Sequence, residues 1–112
     1  MKFDFENSPW VEREGYRTKK VFTIAEDSFV QIVEILPNAE VKKHYHKEQT
    51  EVFYIMDGKA KLGLGEEEFI AEKGDIFLCK PNTVHWVVND SENPFRILVF
   101  KYNWKENDTV WL

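Results

Sequence analysis

The chain has 112 residues, 43% hydrophobic and 15% aromatic, which is enough apolar bulk to fill one core, and no composition shift divides it. Its net charge of −5 argues against a phosphate backbone as partner, so nucleic acid is not expected to bind. No apolar run approaches the ~18 residues of a membrane span, and the lone cysteine, Cys79, excludes an internal disulfide; a cytoplasmic protein of one domain, residues 1–112, with no membrane partner is the expectation.

Apolar residues recur with period two in short blocks. In chain order the predicted strands are Lys20–Ile24, Phe29–Leu36, Val41–Lys47, Glu51–Met56, Lys59–Leu64, Glu68–Ala71, Ile76–Lys80, Val84–Asn89 and Phe95–Tyr102. Turn chemistry separates them at Pro37-Asn38, Asp57-Gly58, Gly63-Leu64-Gly65, Lys73-Gly74-Asp75, Pro81-Asn82 and Asn93-Pro94. Asp57-Gly58 is the strongest of these signals and predicts a two-residue hairpin turn. No stretch holds an apolar stripe at helical spacing for three turns, so the fold class is all-β, a sandwich or barrel. The ends, Met1–Thr18 and Asn103–Leu112, are less regular. They carry Phe3, Phe5, Trp10, Tyr16, Trp104 and Trp111, which is poor material for loose tails, and both are expected to pack.

The chain has three histidines. His44 and His46 stand two apart on a predicted strand, so both rings leave the same face, roughly 7 Å apart at the backbone. Rings so placed can converge on one ion at the ~2.0–2.1 Å of a metal–imidazole bond. Glu51 opens the next strand near the same end, and His85 begins a later one. Three neutral imidazoles and a carboxylate suit one divalent transition metal: manganese, iron, nickel, cobalt or zinc. On an ion that prefers six ligands, two positions stay open for a small-molecule ligand.

The spacing carries a resemblance. His44-Tyr45-His46, four residues, Glu51, six residues and Gly58 form one block; Gly74, ten residues, His85, three residues and Asn89 form a second, fifteen residues on. Together, over residues 38–89, they resemble the two motifs of the cupin superfamily. The resemblance implies a double-stranded β-helix, or jelly-roll barrel, with a metal inside one end. The family's ligand positions fall on His44, His46, Glu51 and His85. Three departures touch no ligand: the glycine that opens the first motif is Asn38, the second motif's proline is displaced to Pro81, and its glycine is Asn82. Asparagine tolerates the left-handed conformation, so both turns are expected to survive.

Blander readings compete at each position. An isolated His-x-His on a strand is most often structural, but here every histidine falls on a ligand position. Glu48 continues the strand parity of the two histidines and rivals Glu51, although parity should break at the intervening loop. Gln49 reads as an exposed loop residue, Cys79 as a small buried filler and Asn89 as a polar strand end. Lys42 shares the parity of His44 and could reach the barrel mouth. Parity also points Phe53, Ile55, Val87 and Asn89 inward. The opposite faces, Val52, Tyr54 and Met56 with Val84, Trp86 and Val88, are apolar too, and something must cover them. Cupins commonly dimerise in this way, and a homodimer is expected.

The resemblance leaves the reaction open, and no catalytic residue is assigned. One reading is a metal-dependent enzyme (an isomerase, dioxygenase or decarboxylase) acting on a sugar, keto acid or other small oxygenated metabolite. Ser8-Pro9-Trp10, Tyr16, Lys19-Lys20 and Asn107-Asp108-Thr109-Val110 loosely resemble the cupin half of bacterial mannose-6-phosphate isomerases. Only Arg13, Arg17 and Arg96 are available as a phosphate clamp. A second reading is a module that binds metal and ligand without turnover. A third is a metal-free sugar-nucleotide ketoisomerase, which His44-Tyr45-His46-Lys47 and Gln49 resemble, though Glu51 and His85 argue against it.

Overall fold

The computed structural model describes all 112 residues. It contains β1 (Val11–Glu12), β2 (Tyr16–Ala25), β3 (Ser28–Ile35), β4 (Ala39–His46), β5 (Thr50–Asp57), β6 (Lys59–Leu64), β7 (Glu67–Glu72), β8 (Ile76–Cys79), β9 (His85–Asn89), β10 (Phe95–Tyr102) and β11 (Thr109–Trp111), and no helix. Nine of these are the predicted strands, Lys59–Leu64 and Phe95–Tyr102 with the predicted bounds and the other seven with shifted ends. β1 and β11 are additions, two and three residues long, too short to display alternation.

Every pairing is antiparallel. One sheet has the order β1-β2-β3-β10-β5-β8, the other β11-β4-β9-β6-β7. The core draws on both, with Ile35, Phe53, Ile55 and Ile97 from the first meeting Leu62 and Val87 from the second. This is a two-sheet jelly roll, and the all-β fold class holds.

Asp57-Gly58 does not make the expected hairpin. β5 pairs with β10 and β8, while β6 pairs with β7 and β9, so the dipeptide is a corner where the chain changes sheets. Of the two residues only Gly58 has positive φ, at 85°, whereas the expected turn needs it at both. A Cβ on Gly58 would lie 2.6 Å from the carbonyl oxygen of Pro94. Gly63, read as part of a turn, lies within β6, and its bare Cα is where the Trp86 ring rests. Asn38 and Asn82 do adopt positive φ, 57° and 65°, in place of the family's glycines.

Both chain ends pack. Phe3 lies edge-on to Phe5 and Phe22, and Phe5 edge-on to Trp10. This N-terminal arm joins the β2–β3–β10 face through Lys19, whose ammonium donates to the Phe5 carbonyl and sits against Phe5 and Trp10. Val30 and Ile32 are thereby buried on a face that would otherwise be wet. Glu34 is also buried there, between the guanidinium groups of Arg17 and Arg96. At the other end Trp104 packs on Phe29 and Trp111 on His44. Part of the outward apolar face therefore finds its cover within the chain: Trp86 lies on Gly63, with Lys43 above it. What stays open is a strip at the β5–β8 edge, Tyr54, Ile76 and Leu78, which are 37%, 67% and 54% exposed.

Candidate metal centre

β4 and β9 run antiparallel, and His44 pairs directly with His85. Between this pair and the next, Val41 with Val87, β4 spends three steps against two on β9, which is a β-bulge. Val41 and His44 therefore both point inward, and Lys42 and Lys43 absorb the extra residue on the exposed side. Lys42 borders the cavity, while Lys43 turns away over Trp86.

The three imidazoles converge, with ring centroids 4.0 Å apart for His44 and His85, 5.1 Å for His46 and His85, and 5.3 Å for His44 and His46. All three rings are buried, and their coordinating nitrogens lie within 4.8 Å of one another. The Nδ1 atoms are already engaged. That of His44 donates to the Lys42 carbonyl at 2.7 Å, that of His85 to the Thr83 carbonyl at 3.0 Å, and that of His46 lies 2.9 Å from Thr109 Oγ1. Engagement at Nδ1 aims the three Nε2 atoms at a shared ligand.

Glu51, and not the exposed Glu48, joins them. Its Oε1 is 2.9 Å from His46 Nε2 and 3.3 Å from His85 Nε2, and its Oε2 is 3.7 Å from Lys101 Nζ. The carboxylate reaches these two imidazoles rather than His44. Oε1 is buried and close to two ring nitrogens, yet it has no aligned hydrogen-bond partner. A buried carboxylate oxygen left in that condition is costly unless something else binds it. A cation between Oε1 and the Nε2 atoms meets that need, so the donor set fits a divalent metal.

The electrostatics of the metal-free site divide His44 from His85. Burial, with His85 and His46 adding repulsion, pushes His44 down to about 4 against the pull of the Lys42 carbonyl and Glu51, so its ring stays neutral. Burial would raise the Glu51 carboxyl, but His46, His85 and Lys101 together hold it well below the ordinary range. Burial also opposes charge on His85, and there Cys79 and Glu51 prevail, lifting it to about 10.

Cys79 is buried in the core, as its reading as a filler requires, but it also touches the centre. Its sulfur is 3.4 Å from His85 Nδ1, on the ring edge remote from Nε2. Gln49 corrects the expectation of an exposed loop residue: it is 2% exposed, because its backbone N–H and those of Lys47 and Glu48 are gathered by the Asp108 carboxylate. Asn89 is more than a polar strand end. Its amide donates to the Ile35, Leu36 and Asn93 carbonyls, tying three segments together far from the imidazoles. Asp108 and Thr109 carry no sequence signal for their role, since their contacts lie about 60 residues away along the chain.

The centre heads a cavity of about 960 Å³ with Phe53, Leu62, Val87 and Ile97 in its walls and Gln31 and Lys101 among its polar lining. Residues 31–101 match the family described as Cupin domain. The chain is 34% identical to the uncharacterised protein MJ1618 of Methanocaldococcus jannaschii over 71 residues, 63% of this chain and 55% of that protein. It thus spans little more than half of that relative's length. It is 24% identical to the pectin degradation protein KdgF of Dickeya dadantii over 95 residues, covering 85% and 86% of the two chains. The structure of KdgF from Halomonas sp. superposes with a TM-score of 0.81 at 22% identity, covering 94% of each chain. With well over half its length matched and the jelly roll in place, the chain belongs to the cupin domain family.

Proposed function

We propose that the protein binds one divalent transition metal through His44, His46, Glu51 and His85, and acts as an enzyme on a small oxygenated metabolite such as a sugar or keto acid. The observation that carries this reading is the orphaned Glu51 Oε1 facing the Nε2 atoms of His46 and His85 at the head of a cavity. A bound metal would supply Lewis-acid polarisation of a carbonyl or hydroxyl oxygen. The chain's own residues do the rest. The engaged Nδ1 atoms keep the rings aimed, and Phe53, Leu62, Val87 and Ile97 exclude water from the carbon skeleton. Lys101 offers a positive charge to an anionic oxygen. Similarity to a pectin degradation protein supports a sugar-derived substrate.

The test has two stages. Elemental analysis of protein purified without chelator should find close to one transition metal per chain, and a panel of sugars, sugar acids and keto acids should then reveal turnover by the loaded protein. Protein that retains no manganese, iron, cobalt, nickel or zinc after reloading would overturn the reading. Metal binding without turnover of any panel member would favour a binding module, a reading supported by the largely apolar floor.

We also propose a homodimer. The open strip of Tyr54, Ile76 and Leu78 lies at the unpaired edge of a sheet, where a second copy can present the same patch.

A further inference from the structure

The family match ends at Lys101, yet the ten residues from Asn103 onward touch two of the four candidate ligands, His44 and His46, and the segment that joins His46 to Glu51. β11 pairs with β4 so that Thr109 lies opposite His46 and Trp111 opposite His44. Thr109 Oγ1 is 2.9 Å from His46 Nδ1, and the Trp111 ring packs on His44 at 4.4 Å between centroids. Asp108 accepts backbone N–H groups from Lys47 at 3.1 Å and from Glu48 and Gln49 at 3.0 Å, and its own carbonyl accepts Lys47 again. Those three residues are most of the link between His46 and Glu51. Leu112 closes the segment by donating its N–H to the Lys43 carbonyl.

His44 and His85 are oriented by carbonyls two residues earlier in the chain, at Lys42 within β4 and at Thr83 in the loop before β9. His46 is different, because its Nδ1 partner is a side chain 63 residues later. A ligand whose aim depends on a separate segment is only as well positioned as that segment is ordered.

We propose that Asp108–Trp111 is an integral part of the metal centre. Thr109 positions the His46 imidazole, Asp108 sets the spacing between His46 and Glu51, and Trp111 backs His44, so metal loading and ordering of the C-terminal segment reinforce each other. This rests on the metal-binding reading above. These are positioning residues, since none of them supplies a ligand atom.

The experiment uses the full chain and cobalt(II) or zinc(II), with affinity read by competition against a chromophoric chelator. Thr109→Val keeps the shape and removes the hydroxyl; it should weaken metal binding by tenfold or more and alter the cobalt visible spectrum. Thr109→Ser should return to within about threefold of the original protein. Amide exchange of the unmodified protein supplies a measure that no folding failure can obscure: metal should slow exchange at Glu48, Gln49 and Leu112 by at least tenfold. A folded Thr109→Val with unchanged affinity, or exchange at those amides indifferent to metal, would overturn the proposal while leaving the metal site intact. Unmodified protein that binds no metal at all would overturn both.

Discussion

Lys101 Nζ stands 3.7 Å from Glu51 Oε2, while the other oxygen of the same carboxylate faces His46 and His85. Glu51 therefore divides its negative charge between a fixed ammonium and the mouth of the imidazole cluster. Glu51→Gln removes the charge, keeps the shape and leaves a largely buried lysine without its partner. Metal affinity should fall by at least tenfold, and the metal-free protein should lose about 3 kcal/mol of stability. Lys101→Met should act the opposite way on the metal, tightening its binding several-fold at pH 8, because a repelling cation is gone. Chelator competition and chemical denaturation measure the two effects. A Lys101→Met protein that binds metal more weakly than the original would contradict this division of charge.

The two displaced histidine values set the pH behaviour. His85 is lifted to about 10 in the metal-free protein, so a metal arriving at pH 7–9 must displace a proton. Affinity should then rise about tenfold per pH unit across that window, and calorimetry in two buffers should register about one proton released. For metal-free stability the signs differ. The raised His85 contributes stability that is complete below 6.5 and lost as pH climbs through about 10. The depressed His44 works the other way: its unfolded form takes up a proton as pH falls from 6.5 toward about 4, and stability drops over that range. The unfolding midpoint should decline on both sides, and a flat profile between pH 6.5 and 4 would count against the buried neutral His44.

Gly58→Ala tests the sheet-changing corner. The new Cβ would meet the Pro94 carbonyl oxygen at 2.6 Å and would force a non-glycine residue to φ 85°. Backbone lies on both sides of this contact, so the loss should be about 2 kcal/mol or more. Metal affinity of the molecules that remain folded should stay within about twofold, because the corner is far from the imidazoles. A variant as stable as the original would mean that the corner relaxes freely.

Leu78→Glu addresses assembly. Light scattering on a sizing column should report about twice the 13.4 kDa chain mass for the original protein at micromolar concentration, and a mass near the single chain for the variant. Metal content should be unaffected in both. Original protein that remains monomeric at high micromolar concentration would dispose of the dimer. Trp86 is the poorer probe, since its ring is already covered by Gly63 and Lys43.

Much of this molecule was legible from local signals. Period-two alternation located nine strands, and motif spacing singled out the three histidines and Glu51, which the fold brings into one buried cluster. What escaped was non-local. Asp57-Gly58 announced a reversal of the chain, but a dipeptide carries no record of which strand its neighbours will pair with. The Lys42-Lys43 bulge is invisible to parity counting, which assumes one residue per step. Gln49 looked like an exposed loop residue because nothing near it in sequence hints at the carboxylate of Asp108. The two short strands, β1 and β11, lack the length to alternate, and one of them carries Thr109.

Cys79 gives the barrel a built-in clock. The residue is 2% exposed, its sulfur lies against His85, and it is the chain's only thiol. A thiol-specific reagent can reach it only when β8, the Lys80–Thr83 turn beside the sulfur, or the whole barrel opens, so at saturating reagent the labelling rate of the unaltered protein counts opening events. Because the reagent would arrive at the back of the His85 ring, that same rate reports how often the ring loses its support.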